Sequence, residues 1–254
     1  MIDFHSHLDL YPDPIRVAQQ ANVRNFFTFC VTTSPRAWQT TSYVFRDLHR
    51  VGVGLGLHPE ILHKKQSEVQ DLLNGVSQAK LIGEIGMDGS PQYQSTWQLQ
   101  RKVFSTTLQE CSRIGGRILS VHSRRAVSAV LDDVERFARN CVVVLHWFSG
   151  TKMQVEKAVS LGCYFSVNPL MLSTSVGRSI FSLLPKTRIL FESDGPFASI
   201  NRHPIMPWSI LQLMKQGCIN ECYVDDCLSQ SVATTEELLK MSSWVNVRYS
   251  SDNQ

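Results

Sequence analysis

No run in the 254-residue chain reaches the roughly 18 consecutive apolar residues that a membrane-spanning helix needs, so no span is expected. No Gly-x-Gly-x-x-Gly follows the first apolar run, which argues against an open dinucleotide-binding sheet. No Gly/Ser/Pro-rich spacer, repeat or low-complexity tract divides the chain. One domain over residues 1–248 is therefore expected, with 249–254 as a frayed tail. Cys-x-x-Cys is also missing. The seven cysteines (Cys30, Cys111, Cys141, Cys163, Cys218, Cys222 and Cys227) are odd in number and scattered, and no signal-peptide pattern precedes them. Reduced thiols in a cytoplasmic protein are the expectation. Cys218, Cys222 and Cys227 have no nearby His, so a zinc knot is not expected. Long basic runs are lacking too; the densest are Lys64-Lys65 and Arg124-Arg125. A net charge of +3 permits a polyanionic substrate without demanding one.

What is present is alternation. Eight short, apolar, β-rich runs recur at residues 2–5, 26–31, 51–57, 81–85, 117–122, 142–146, 163–167 and 188–192. Amphipathic stretches separate them, among them 14–21, 36–50, 68–78, 96–114, 126–139 and 152–161. Such alternation predicts βαβ units and a parallel sheet. Eight repeats in this length predict a closed α/β structure, a single (β/α)8 TIM barrel. Gly52, Gly54 and Gly56 lie in and around the third run and are expected to allow close backbone packing.

Polar residues collect where the runs end. His5 and His7 close the first, His58 follows the third, Glu84 closes the fourth with Asp88 just beyond, His122 ends the fifth, His146 the sixth, and Glu192 and Asp194 the eighth. Strand side chains alternate faces, so His-x-His aims both imidazoles one way. The C-terminal strand ends of an α/β barrel are where catalysis lives. His5, His7, Glu84, His122, His146 and Asp194 form a set of four imidazoles and two carboxylates that suits Zn²⁺, Mn²⁺ or Mg²⁺. Six ligands exceed what one tetrahedral ion with an open position takes. Two divalent metal ions sharing Glu84 as bridge are expected, with Asp194 as ligand and proton acceptor. Ions about 3.5–4 Å apart can activate a water and stabilise the leaving oxygen of a phosphodiester. Each member alone reads as an ordinary core histidine or strand-end acid; the joint pattern carries the assignment.

Other groups are candidates for substrate contact. His58 could touch a phosphate or the leaving group, and Arg124 could fork onto a phosphate while Arg125 faces solvent. Ser149 and Gly150 could offer a hydroxyl and N–H groups at the start of the next helix, or simply cap it. Trp147, Phe148, Tyr93 and Trp208 could stack on bases, with packing as the alternative for at least half. His49, His63 and His203 have no partner pattern and are expected at the surface.

The motifs His5-Ser6-His7-Leu8-Asp9, Gly56-Leu57-His58-Pro59, Ile82-Gly83-Glu84-Ile85-Gly86-Met87-Asp88, Val121-His122-Ser123-Arg124, His146-Trp147-Phe148-Ser149-Gly150 and Glu192-Ser193-Asp194-Gly195-Pro196 resemble, in order, those of TatD-type metal-dependent deoxyribonucleases of the amidohydrolase superfamily. The resemblance runs from the first residues to about Pro196. It implies a (β/α)8 fold and divalent-metal hydrolysis of nucleic-acid phosphodiesters, often as a 3′→5′ exonuclease on single-stranded DNA. It gives metal roles to the same six residues, makes His58 a catalytic helper and Glu192 an acid supporting a ligand. Two departures lie near the substrate mouth: Ile205 stands where the family has Asn before Pro207, and Gly89-Ser90-Pro91-Gln92 lacks the usual aromatic after Asp88. Leu8-Asp9-Leu10-Tyr11-Pro12 and Gly115-Gly116-Arg117-Ile118-Leu119-Ser120 look like a subfamily, the TatD-like nucleases of bacterial Qat anti-phage operons. That likeness implies a defence role beside an ATPase and a queuosine-pathway-like protein.

Two other functions fit the same residues. One is hydrolysis of a small molecule or modified nucleotide. Many superfamily relatives of that kind bridge their metals with a carbamylated lysine, whereas the fourth run here ends in Glu84 and Lys80 precedes its core. The other is a non-catalytic subunit of a defence complex, against which an intact ligand set argues.

Overall fold

The structure is a computed structural model that describes residues 1–217 and 221–242. All eight expected runs are strands: β1 (Ile2–Ser6), β2 (Phe27–Val31), β3 (Val51–Gly54), β4 (Leu81–Gly86), β5 (Arg117–His122), β6 (Cys141–His146), β7 (Tyr164–Val167) and β8 (Ile189–Phe191). They are nearly continuous in apolar character because helices cover one face and other strands the other. β1, β2, β4, β5 and β8 are buried along their whole length.

Pairing is parallel in the order β1-β2-β3 and β4-β5-β6-β7-β8. Two seams join these groups. Leu55 bridges to Ile82, its N–H donating to Leu81 O at 3.0 Å while Gly83 N–H donates to Leu55 O at 2.8 Å. At the other seam, Asp194 N–H donates to His5 O at 2.9 Å and His7 N–H to Gly195 O at 2.8 Å. The ring is closed, and the expected (β/α)8 barrel is the fold.

Local signals start the helices. α1 (Pro14–Arg24) begins on a proline, with Asp13 accepting from Arg16 N–H; α2 (Pro35–Val44) repeats the device with Ser34 and Ala37. α3 (Val69–Gly75), α4 (Trp97–Ile114) and α5 (Val127–Phe137) follow, and α6 (Lys152–Ser160) carries a Thr151/Gln154 capping box. α2 stops short of the expected residue 50 because Phe45 leaves helical geometry and Leu48 N–H turns back onto Phe45 O. Three helices lie beyond the stretches read from sequence: α7 (Ser175–Leu183), α8 (Ile210–Gly217) and α9 (Glu221–Met241). The two-residue strands β9 (Ser199–Ile200) and β10 (His203–Pro204) form a small hairpin after β8. The expected tail at 249–254 and Cys218 lie outside the described residues. Cys30, Cys111, Cys141, Cys163 and Cys227 form no disulfide. Among the described residues, no helix is long and apolar enough to cross a membrane.

The lower barrel is filled by Ile2, Phe4, Phe27, Phe29, Val31, Leu81, Ile118, Val144 and Leu190. Two bulges then change what the strands present. Asp3 to Ser6 on β1 face only Thr28 to Cys30 on β2, and Ile82 to Ile85 on β4 face only Leu119 to Val121 on β5. An extra residue reverses the alternation of faces. Phe4 can therefore fill the barrel below while the next residue, His5, and then His7 turn into its mouth. The same shift on β4 brings Glu84 in directly above Gly83.

Glycine makes the second shift possible. A Cβ on Gly56 would lie 2.0 Å from Thr32 O and 2.4 Å from Glu84 N, so only glycine lets this loop run against the Glu84 backbone. Glu84 N–H donates to Thr32 O and Leu57 N–H to Glu84 O, both at 3.0 Å. The expected close packing at Gly54 and Gly56 is thus found, and its effect is to hold Glu84.

Candidate metal centre

Glu84 stands at the centre of the barrel mouth, 1% exposed. Its Oε2 lies 3.4 Å from His5 Nε2 and 3.3 Å from His7 Nε2. Its Oε1 lies 2.8 Å from His122 Nδ1, 3.1 Å from His58 Nε2 and 4.0 Å from His146 Nε2. Asp194 Oδ1 is 3.7 Å from both His5 Nε2 and His7 Nε2. The carboxylate therefore has one oxygen toward each histidine group, and all six expected ligands meet in one place.

Three imidazoles are anchored from behind. His5 Nδ1 meets Ser120 Oγ at 2.7 Å, His122 Nε2 meets Asp88 Oδ2 at 2.7 Å, and His146 Nδ1 meets Glu192 Oε2 at 2.8 Å. Ser166 hydroxyl donates to the same Glu192 oxygen. A ring that gives its far N–H to such a partner presents the lone pair of the other nitrogen, which is how metal-ligating histidines are set. His5 Nε2 is buried and makes no hydrogen bond, an arrangement that costs free energy in a site without a cation. The residues fit divalent ions.

His58 differs. Together with Glu84 and His122 it is close enough to hold an ion. However, Glu60 N–H donates to its Nδ1 at 3.1 Å, so neutral His58 carries its proton on Nε2. That nitrogen is a donor, not a ligand.

Charge follows geometry. Burial pushes the Glu84 carboxyl up, but His58, His5 and His122 outweigh it and hold the group well below its ordinary range. Burial alone would lower His122; hydrogen bonds to Asp88 and Glu84 push it up to about 10. Burial drives Asp194 up to about 6 despite His146 and His7 beside it. Glu192 is raised well above its usual value by burial, against the Ser166 hydrogen bond. A metal taken up through His122 Nδ1 must displace its proton. Uptake near pH 7 is therefore expected to release at least one proton, and affinity to rise with pH until about 10. Titration calorimetry in two buffers of different ionisation enthalpy checks this; identical heats would contradict the assignment.

A cleft of about 740 Å³ opens above these groups, lined by His7, His58, Glu84, His122, His146 and Asp194 together with Thr33, Glu60, Arg124, Trp147, Ser149 and Phe197. Arg124 and Ser149 thus face it; Arg125 is exposed and outside its lining, and half-buried Gly150 is outside the lining too. The next helix is capped by Thr151, not by Ser149 or Gly150. Phe148 is no base stacker: it is 1% exposed and packs against Phe165, because an apolar ring after β6 is better buried between barrel and helices. Trp208 lies away from the cleft under Arg24. Tyr93 donates its hydroxyl to Glu60 at 2.7 Å, at the cleft edge. His49, His63 and His203 are exposed as expected. Sequence reasoning missed Ser120, Ser166 and Phe197. It also missed Asp3, which accepts from Ser193 N–H and hydroxyl and so ties the strand-eight end to β1. A second cavity of about 670 Å³, lined by Trp38, Phe45, Arg50 and Lys80 among others, includes none of these site residues.

A closed barrel with imidazoles and carboxylates converging at the C-terminal strand ends has the plan of a metal-dependent hydrolase. The chain belongs to the TatD related DNase family, whose model matches residues 2–225. It is similar to deoxyribonuclease TATDN3 of Homo sapiens (30% identical over 118 residues, 45% of this chain and 42% of that protein). It is similar also to the 3'-5' ssDNA/RNA exonuclease TatD of Citrobacter koseri (26% over 149 residues, 56% of each). A third relative is the uncharacterized metal-dependent hydrolase YjjV of Escherichia coli K12 (26% over 217 residues, 79% of this chain and 81% of that protein). The chain thus spans about half the length of the first two. The solved E. coli YjjV structure superposes with a TM-score of 0.78 at 22% identity, covering 94% of this chain and 97% of that one. An amidohydrolase from Saccharomyces cerevisiae does so at 0.76 and 16%, covering 93% and 99%. These structures share the barrel.

Proposed function

We propose that this protein is a divalent-metal-dependent phosphodiesterase acting on single-stranded DNA, a 3′→5′ exonuclease with a two-metal site. The observation that carries the reading is Glu84, whose Oε2 faces His5 and His7 while Oε1 faces His122 and, farther off, His146. One ion would be held by His5, His7, Glu84 and Asp194, the other by Glu84, His122 and His146; Mg²⁺, Mn²⁺ and Zn²⁺ all suit these donors. When bound, such ions supply positive charge that polarises water and offsets charge on phosphoryl oxygens. The chain's own groups do the rest. Asp194 takes the proton of the attacking water at its carboxylate. His58 donates from Nε2 to a phosphoryl or leaving oxygen. Arg124 and Ser149 on the cleft wall hold the phosphate.

The Citrobacter relative, named a 3'-5' ssDNA/RNA exonuclease, supports the polarity and strand type. The likeness of 8–12 and 115–120 to Qat-operon nucleases supports a role in anti-phage defence in the cytoplasm, beside the ATPase and queuosine-pathway-like proteins of such operons. Residues 1–248 are taken as one hydrolase barrel. Incubating the protein with a 5′-labelled single-stranded oligonucleotide and Mg²⁺ or Mn²⁺ tests the reading. A ladder of shortened products, lost with EDTA, is expected. An uncut strand with metal bound would move the substrate to a modified nucleotide or the activity to a partner-dependent state.

A further inference from the structure

Phe197 is a large apolar side chain left 64% exposed on the wall of the cleft. It cannot withdraw into the core. The next residue, Ala198, is buried, donates its N–H to Asp194 O at 2.8 Å and accepts from Ile205 N–H at 2.9 Å. With its neighbour pinned inward, the Phe197 ring stands at the mouth. It meets His7 edge-on, with ring centroids 4.9 Å apart and planes at 85°. Across the site Trp147 meets His146 in the same manner, at 6.3 Å and 89°. His5 lies between, 5.2 Å from His7 and stacked on His146 at 3.7 Å. Phe197 and Trp147 therefore end a continuous row of rings, with the candidate metal ligands His7, His5 and His146 in the middle. Trp147 has φ +39°, a left-handed conformation that a bulky residue rarely adopts, and its side chain lines the cleft.

We infer that Phe197 is a base-stacking platform, with Trp147 as its counterpart, that receives the nucleobases on either side of the phosphate and thereby selects unpaired strands; the inference rests on the nuclease reading above. A phosphodiester seated over the histidine row carries one nucleoside toward each end of the row. Aromatic rings bind any base through its π-face, without regard to sequence. A base inside a duplex has both faces covered by its neighbours, so only a single strand or a frayed end can use such a platform.

The test compares wild type, Phe197→Ala and Phe197→Tyr on a fluorescein-labelled single-stranded oligonucleotide and on the same strand with an abasic 3′-terminal nucleotide. Affinity is read by anisotropy in Ca²⁺, and cleavage as KM and kcat in Mn²⁺. Phe197→Ala should weaken binding and raise KM roughly tenfold, the scale of one base–aromatic stack, with kcat little changed. Phe197→Tyr should behave as wild type. On the abasic strand, the Ala variant should cost nothing further. Equal affinity of wild type and Phe197→Ala, or an equal loss on intact and abasic strands, would overturn the stacking assignment. A wild type that binds the strand but never cuts it sinks only the nuclease reading, because the stacking comparison still reads out in binding.

Discussion

Glu84→Gln is expected to weaken divalent-metal uptake by more than the roughly 10–100-fold that loss of an outer-shell partner costs, and to take cleavage with it. The reason lies in how many groups share this one carboxylate. Its two oxygens approach His5, His7, His58 and His122 within 3.4 Å. An amide keeps the shape but offers one neutral acceptor and turns an NH₂ toward rings that need an anion or a cation. Metal content by mass spectrometry, measured beside the cleavage assay, checks the result; full occupancy with lost activity would show that Glu84 acts in chemistry and not in binding. The metal-free fold should also weaken. His122, pushed up to about 10, keeps Asp88 but loses its second carboxylate. That charge-assisted bond is worth about 1.5–3 kcal/mol. The sign follows from the raised pKa: the contribution is whole below about pH 6.5, the unfolded value, and is lost as pH rises through 10. The Tm difference between wild type and variant, without metal, should therefore shrink above pH 10.

The ligands were legible in the sequence for a simple physical reason. A carboxylate or imidazole at the end of an apolar strand is costly to bury alone, so six of them at strand ends imply a shared partner. The barrel was legible because alternation of strand and helix patterns has few closed solutions at this length. What the sequence concealed falls into two kinds. The first is backbone phase. Nothing in Ile2-Asp3-Phe4-His5 announces that Phe4 fills the lower barrel while the adjacent His5 faces its mouth; that depends on a bulge against β2, which is a property of pairing. The second is polar burial. α9 escaped detection because its inward face reads Val224, Cys227, Ser231, Thr234, Thr235 and Leu238, and hydroxyls at helical spacing do not register as an apolar stripe. Ser120 and Ser166 were hidden likewise: a serine in a strand looks incidental until the ring or carboxylate it holds is in view. Phe148 and Phe197 show the limit from the other side, since two phenylalanines near strand ends were equally plausible as stackers or core, and tertiary packing buried the one named and exposed the one overlooked.

Asp194→Asn separates proton transfer from metal binding and is the second large effect expected. Asn keeps a carbonyl oxygen that can still face His5 and His7, each 3.7 Å from the native carboxylate, so metal content should fall much less than in Glu84→Gln. What Asn cannot do is accept a proton, and loss of a positioned general base costs about 10²–10⁴-fold in kcat. The pH profile carries the more specific signature. Burial holds the Asp194 carboxyl up at about 6 in the metal-free protein, and bound cations move it lower. A base must be ionised to act, so with metal saturating at every pH wild-type kcat/KM should fall as pH drops through the acid limb, tenfold per pH unit, and Asn at this position should erase that limb from whatever rate remains. His58→Ala provides the contrast: it removes a donor and not the base, so the acid limb should survive with a lower plateau. The backbone makes Asp194 a secure place for such a group. It stands at φ +49° between Ser193, tied to Asp3, and Gly195, whose missing side chain admits the Tyr11 hydroxyl. Tyr11 donates in turn to Ile205 O at 2.7 Å, so the residue that departs from the family pattern still closes the loop that carries the base. A limb that persists unchanged in Asp194→Asn would transfer the proton-accepting role to another group of the cleft, with Glu84 the first to examine.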